Sequence, residues 1–292
     1  MGKKGKKAQA GKPKKLTPKD VGKRLDVLVK KLKEELKGAD LFAPLPPTED
    51  CAICLVPLSR VATNSTYFAC CGNMICVGCV QENEALIKKQ NEENAAKSKT
   101  YTCPFCRELK PFADEHIRQL EARALKNDHV ALHQLGSAFT TGDCGLPKDD
   151  LKALDYWIRA VELGSGEACP QIGYSYSSGR GVSKDMDRAD LFFLVGALRG
   201  DIIARHIIGC NEYNSGNHRI GIRHWKVAAE AGSQHSIDNL KKIYIADGKM
   251  PGKEFISKEE MDTVYRSGHE AQEEVKSEER EKHRDDAANM KC

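Results

Sequence analysis

Eight of the chain's twelve cysteines fall between residues 51 and 106, in four pairs: Cys51 with Cys54, Cys70 with Cys71, Cys76 with Cys79, and Cys103 with Cys106. A C-x2-C pair lets two thiolates reach one tetrahedral metal at about 2.3 Å, and two such pairs close a structural site with no open position. Eight sulfur ligands therefore imply two zinc ions. Closed sites leave no thiolate free as a nucleophile and no metal position free for a substrate. Metal is also needed for stability, because a stretch with so few large apolar side chains could not bury enough surface to offset its chain entropy. A structural zinc supplies on the order of 10 kcal/mol.

Fifteen residues separate Cys54 from Cys70 and 23 separate Cys79 from Cys103, while the middle pairs are crowded together. This order, ending in CPFCR (103–107), resembles a RING finger. The resemblance implies that the first and third pairs share one zinc (Cys51, Cys54, Cys76, Cys79) and the second and fourth share the other (Cys70, Cys71, Cys103, Cys106). It implies scaffold catalysis as well. Such a domain binds a ubiquitin-conjugating enzyme that carries ubiquitin as a thioester, and proximity with restricted motion supplies the rate. By the same resemblance the docking residues are Ile53, Pro104 and Phe105, and Arg107 matches the position where many RING ligases bridge conjugating enzyme and ubiquitin. Taken without the family, Ile53 and Phe105 are packing groups of the zinc loops and Arg107 is a solvated charge.

One stretch departs from the family. In FACCGNMICVGC (68–79) the usual order Cys-Gly-His-x-x-Cys is broken by Asn73 at the histidine position. A neutral amide oxygen is a poor zinc ligand beside imidazole or thiolate. An all-cysteine RING variant places its fourth ligand five residues before the next, which fits Cys71 and leaves Cys70 as the third. Two sulfurs on one tetrahedral metal lie about 3.8 Å apart, close to the spacing of consecutive Cα atoms. Extended backbone would point the two side chains in opposite directions. The pair therefore needs a turn, and Gly72 permits one. Either Cys70 or Asn73 completes the second site, and ligand chemistry favours Cys70.

The elements that follow must position this unit. Leu135-Gly136, Ile172-Gly173 and Ile208-Gly209 recur at offsets of 37 and 36, and Trp157, Phe193 and Trp225 at 36 and 32. Gly164, Gly200 and Gly232 keep the second spacing, and Ala131, Ala168 and Ala204 stand five residues before the first glycines. Two helices per repeat are expected, small residues letting them approach and the aromatic filling space between successive hairpins. The segments 146–164 and 179–200, with Gly179 to Val182, Asp149 and Asp185, resemble the Sel-one-like repeat, a relative of the tetratricopeptide repeat. The third copy has a shorter hairpin loop, and 233–248 looks like half of a fourth. The resemblance implies a solenoid that binds proteins and does no chemistry.

The first 24 residues hold ten of the 46 basic residues and one of the 42 acids, so the rest of the chain is net acidic. The arm fits solubility, nuclear import or contact with phosphates, and Lys6 stands where an N-myristoylation motif requires Ser or Thr. Leu25, Leu28, Val29, Leu32 and Leu36 share one face of a helix, either docked on its neighbour or open to a partner. The longest apolar run, LFFLVGAL (191–198), is too short for a transmembrane segment. With no apolar leader block, an intracellular, cytoplasmic protein is expected, nuclear if the arm is an import signal. The other cysteines (Cys144, Cys169, Cys210, Cys292) fit packing roles or free thiols, and His206, His218, His224 and His235 fit helix-surface positions.

The expected architecture is mostly α: a disordered basic tail (1–24), an amphipathic helix and linker (25–44), a RING-type zinc finger (45–112), a connecting helix (113–127), repeats (128–252) and a charged C-terminal helix or tail (253–292). The function expected is a RING-type ubiquitin-protein ligase whose repeats recruit substrate or adaptor. The competing reading is a non-catalytic zinc-binding scaffold. Nucleic-acid binding is the weakest, since no aromatic residues interleave with the lysines of the arm.

Overall fold

The computed structural model describes residues 16–93, 102–109, 111, 113–246 and 250–273. The arm up to residue 15, the segment 94–101, the tail 274–292 and Cys292 lie outside the described residues. Helix α1 (Pro18–Glu35) begins well before residue 25, because Thr17 Oγ1 accepts the Asp20 amide at 3.2 Å and Pro18 takes a first-turn position where no N–H partner is needed. Val21 is fully buried, so residues 18–24 belong to the folded body and not to a tail. Strands β1 (Ser65–Phe68) and β2 (Asn73–Cys76) pair antiparallel, Ser65 opposite Cys76 and Phe68 opposite Asn73, and lead into α2 (Val77–Glu93).

After α3 (Ala113–Ala124) come three hairpins: α4 (His129–Thr141) with α5 (Asp150–Glu162), α6 (Ala168–Ser178) with α7 (Met186–Leu198), and α8 (Ile202–Asn214) with α9 (His218–Glu230). Gly142 and Gly179 end the first helices at φ 79° and 77°, a left-handed conformation that costs glycine nothing. Asp149 and Asp185 then cap the second helices, accepting the Lys152 and Arg188 amides at 3.0 Å. The third hairpin turns in three residues, 215–217, which locates its deletion in the loop.

Each aromatic seats on the glycine of its own hairpin, contrary to the expectation that it fills space between hairpins. A Cβ on Gly173 would lie 2.7 Å from the Phe193 ring, and Gly136 and Gly209 are covered in the same way by Trp157 and Trp225. The indole N–H groups reach across to the first helix: Trp157 Nε1 donates to His133 O and Trp225 Nε1 to His206 O, both at 3.2 Å. Missing side-chain volume on one helix and an amphipathic ring on the other thus set the interhelical distance.

Helix α1 lies on the second helices α5 and α7, burying Leu25, Leu28, Val29 and Leu32 in the same core as Leu154, Trp157 and Phe193. Arg24 pairs with Asp155 and Glu162, Arg188 with Asp26, and Arg199 with Glu35. At the other end α10 (Gln234–Ile245) and α11 (Lys258–Glu273) close the stack. The charged C-terminal stretch is not uniformly solvated: Ile256, Met261 and Val264 are buried with Ile222, Trp225 and Ile237, and Lys226 pairs with Glu260 at 2.6 Å. Apolar residues spaced three and four apart gave α11 one buried face despite its charge.

His224 is also a correction, being 1% exposed. Phe42 packs against it at a tilt with ring centroids 4.6 Å apart, and Arg205 lies buried nearby, donating to Leu41 O and Ala197 O. Burial, with Arg205 and Arg223 beside it, lowers the His224 pKa to about 4.

Two stability tests follow. Gly173→Ala forces a methyl into the Phe193 ring and is expected to cost about 1–3 kcal/mol in urea unfolding, with partial recovery in Gly173→Ala/Phe193→Leu. The folded state holds His224 neutral, so its contribution is complete above pH 6.5 and is lost as pH falls toward 4. His224→Phe should reduce the loss of stability between pH 7 and pH 4.5 by about 2 kcal/mol; an unchanged pH profile would show that this histidine is not the sensitive group.

Candidate metal centres

The cysteine unit is built from two copies of one backbone turn. In the first, the Cys51 amide donates to Val56 O at 2.9 Å, the Leu55 amide returns to Cys51 O at 2.9 Å, and Leu55 sits at φ 59°. In the second, the Cys103 amide donates to Glu108 O at 2.7 Å, Arg107 returns to Cys103 O at 3.0 Å, and Arg107 sits at φ 64°. Isolated bridges, Asp50 with Pro57 and Thr102 with Leu109, close each turn at its base. These bonds close each turn, and other amides serve the sulfurs: Cys54 and Val56 in the first turn, Phe105, Cys106 and Glu108 in the second, the kind of bond that favours a thiolate.

The other two pairs come from the hairpin. Cys76 ends β2 and Cys79 lies in the first turn of α2. Cys70 and Cys71 occupy the β1–β2 connection, where the Cys71 and Gly72 amides both donate to Phe68 O and Gly72 takes φ 77°. This tight turn swings both thiols to one side.

The fold brings the eight sulfurs into two groups of four that could hold metal ions: Cys51, Cys54, Cys76 and Cys79, and Cys70, Cys71, Cys103 and Cys106, each group within 4.8 Å. Cys51–Cys79 and Cys54–Cys76 stand 4.0 and 3.8 Å apart; Cys71–Cys103 and Cys70–Cys106 stand 3.8 and 3.5 Å apart. A disulfide would need about 2.05 Å, whereas four ligands at 2.3 Å on a tetrahedral ion would lie about 3.8 Å apart. Distances and soft donors therefore fit a four-coordinate thiolate site. Asn73 opens strand β2 opposite Phe68. The first group is wholly buried; in the second, Cys70 and Cys71 are half-buried and Cys106 is exposed.

Groups outside the unit hold the double-cysteine turn. Arg123 of α3 donates to Ala69 O and Cys70 O, both at 3.2 Å, and its guanidinium lies so close over Gly72 that a Cβ there would meet it at 2.7 Å. Tyr67 donates to Asp128, the α4 cap, at 2.6 Å; burial and that carboxylate push the phenol above its ordinary range. Arg60 reaches Gly200 O and Pro46 O, and Ser59 reaches Ala271 O. The unit is thereby tied along the ends of the repeat helices.

Of the residues expected to dock a partner, Phe105 is 51% exposed and Arg107 is exposed. Ile53 is half-buried against the apolar cluster of the first site. Pro104 is buried, lining the cleft between the second knuckle and α3 with Val80, Pro111 and His116, so it is not an open contact. Sequence reasoning missed three groups. Leu55 and Leu109, 63% and 58% exposed, are apolar tips of the two knuckles, signalled by apolar residues in a loop. Asn83 of α2, 8% exposed, had one signal, a polar residue one turn after Cys79.

Residues 129–165 and 166–200 each match the Sel1 repeat family; the chain carries Sel1 repeats, a module for protein interaction. No RING or zinc-finger family matches the chain. The ERAD-associated E3 ubiquitin-protein ligase component HRD3B of Arabidopsis thaliana is 32% identical over 114 residues, which is 39% of this chain and 16% of that protein. The Sel1 repeat protein from Oxalobacter formigenes is similar at a TM-score of 0.46 and 30% identity, over 54% of this chain and 64% of that one. The immunity protein Pa5087 from Pseudomonas aeruginosa gives 0.35 and 14%, over 66% and 84%. Among the described residues no helix is long and apolar enough to cross a membrane.

Metal counting by native mass spectrometry tests the ligand sets. Two ions per wild-type chain, one for Cys70→Ser and two for Asn73→Ala are expected; the reverse pattern would move the ligand from Cys70 to Asn73. The exposed second group should also yield its ion to a chelator before the buried first one.

Proposed function

We propose that this chain is a RING-type ubiquitin-protein ligase that binds two zinc ions, with the unit of residues 45–112 receiving the conjugating enzyme and the Sel1 repeats receiving substrate or adaptor. The observation that carries this reading is the interleaved pairing of the sulfurs, first pair with third and second with fourth. Each ion would take four thiolates and supply cross-linking energy, with no chemistry of its own. Transfer would proceed by holding a conjugating enzyme's ubiquitin thioester where a substrate lysine can attack. Ile53 and Phe105, with Leu55 and Leu109, would give the apolar docking contacts. Arg107 would bridge conjugating enzyme and ubiquitin.

The repeats support the second half of the reading. The unit lies against the helix ends and α1 covers α5 and α7, while Tyr174 and Ile203 on the first helices α6 and α8 stay 42% and 52% exposed. Similarity to a component of a ubiquitin-protein ligase points the same way. The alternative, a zinc-stabilised interaction scaffold without transfer activity, is favoured by one observation, the burial of Pro104.

Autoubiquitination of the purified chain across a panel of conjugating enzymes decides between them. The ligase should be active with at least one, and Ile53→Ala and Arg107→Ala should each lower the rate about tenfold or more while both zinc ions are kept. No activity with any enzyme establishes the scaffold.

A further inference from the structure

We propose that Asn83 is a positioning residue that aims Arg107 at its partner; the inference rests on the ligase reading above. Asparagine is a poor helix former, and a buried amide is costly unless both of its ends are satisfied. Asn83 nevertheless sits inside α2, one turn beyond the ligand Cys79, at 8% exposure. Both ends are used. Its Nδ2 donates to Thr102 O at 3.2 Å, and its Oδ1 accepts from Arg107 Nη1 at 3.3 Å. The orientation of the amide follows from the partners, because a carbonyl only accepts and a guanidinium only donates.

The two partners bracket the second knuckle, Thr102 just before Cys103 and Arg107 just after Cys106. One side chain of the helix that carries a first-site ligand thus fixes both ends of the second-site turn. Arg107 itself is held twice: its backbone by the left-handed turn at φ 64°, its side chain by Asn83. A guanidinium has five N–H donors, so one spent on Asn83 leaves the others for conjugating enzyme and ubiquitin. An unheld arginine at this exposed position would have to be ordered at the moment of binding. A residue that breaks a local rule with both hydrogen bonds satisfied is where function is expected.

The two bonds of Asn83 can be separated. Asn83→Asp keeps an acceptor for Arg107 and loses the donor to Thr102 O; Asn83→Leu loses both. With saturating conjugating enzyme, discharge of its ubiquitin thioester by Asn83→Leu is expected to fall about tenfold, to the level of Arg107→Ala, with two zinc ions retained and the half-saturating concentration unchanged. Asn83→Asp should keep at least half the wild-type rate, and Asn83→Leu/Arg107→Ala should be no slower than Arg107→Ala alone. Independently of activity, the NMR order parameter of the Arg107 Nε–H bond should drop in Asn83→Leu and persist in Asn83→Asp. Equal failure of both variants, or an unchanged Arg107 order parameter in Asn83→Leu, makes Asn83 a mere staple and overturns the proposal. An effect of Arg107→Ala without one of Asn83→Leu removes Asn83 alone; no discharge by the wild-type chain with any conjugating enzyme removes the ligase reading and Asn83 with it.

Discussion

Four sulfurs held within 4.8 Å of one another, twice over, are the constraint on which the cysteine unit depends. Thiolates at that range repel, and thiols gain little from meeting, whereas a cation shared by all four would fit the geometry. Everything local serves that convergence: two inward-turned knuckles, a two-stranded hairpin and the first turn of α2. The apolar core of the unit is correspondingly thin, with Val56, Leu58 and Ile75 packed against the cysteines of the first group.

The helical part solves a different problem by a different device. Its hairpins are set by absence, a glycine on one helix into which the aromatic of the other settles, and in the first and third hairpins the indole N–H then satisfies a carbonyl that the close approach would otherwise shield. Successive hairpins stack on these pairs, and α1 covers what the second helices leave exposed. Where helices and cysteine unit meet, contact runs through Arg60, Arg123 and Tyr67, long side chains that bond to backbone carbonyls or a helix cap. Polar contacts of this directional kind fix orientation more than they add stability.

Much of this was legible in the sequence because metal ligation and helical repetition leave period and spacing behind. The eight cysteines, the need for a turn at Gly72 and the helix pairs of residues 129–200 could all be read from residue type and offset. What could not be read depended on which way a side chain turns in three dimensions. The offsets of Trp157 and Gly136 are the same whether the ring fills its own hairpin or the gap to the next. Pro104 has the family's residue type, but the knuckle folds it toward α3. His224 sits on a helix of mixed polarity and is covered by Phe42 from a linker some 180 residues earlier in the chain. Arg123 and Asn83 act across elements, and no local pattern announces a partner so distant in sequence.

The placement of α1 has a consequence for how the chain comes apart. Residues on both sides of the cysteine unit, α1 before it and α3 after it, pack into one helical body, so the unit is an insertion between two anchored ends rather than an appended domain. If the unit unfolds, residues 45–112 become a closed loop rather than a free tail. For a loop of that size closure removes about 4 kcal/mol of the entropy a free chain would gain. The helical body thereby favours recovery of the unit, keeping both ends where the eight cysteines must meet again.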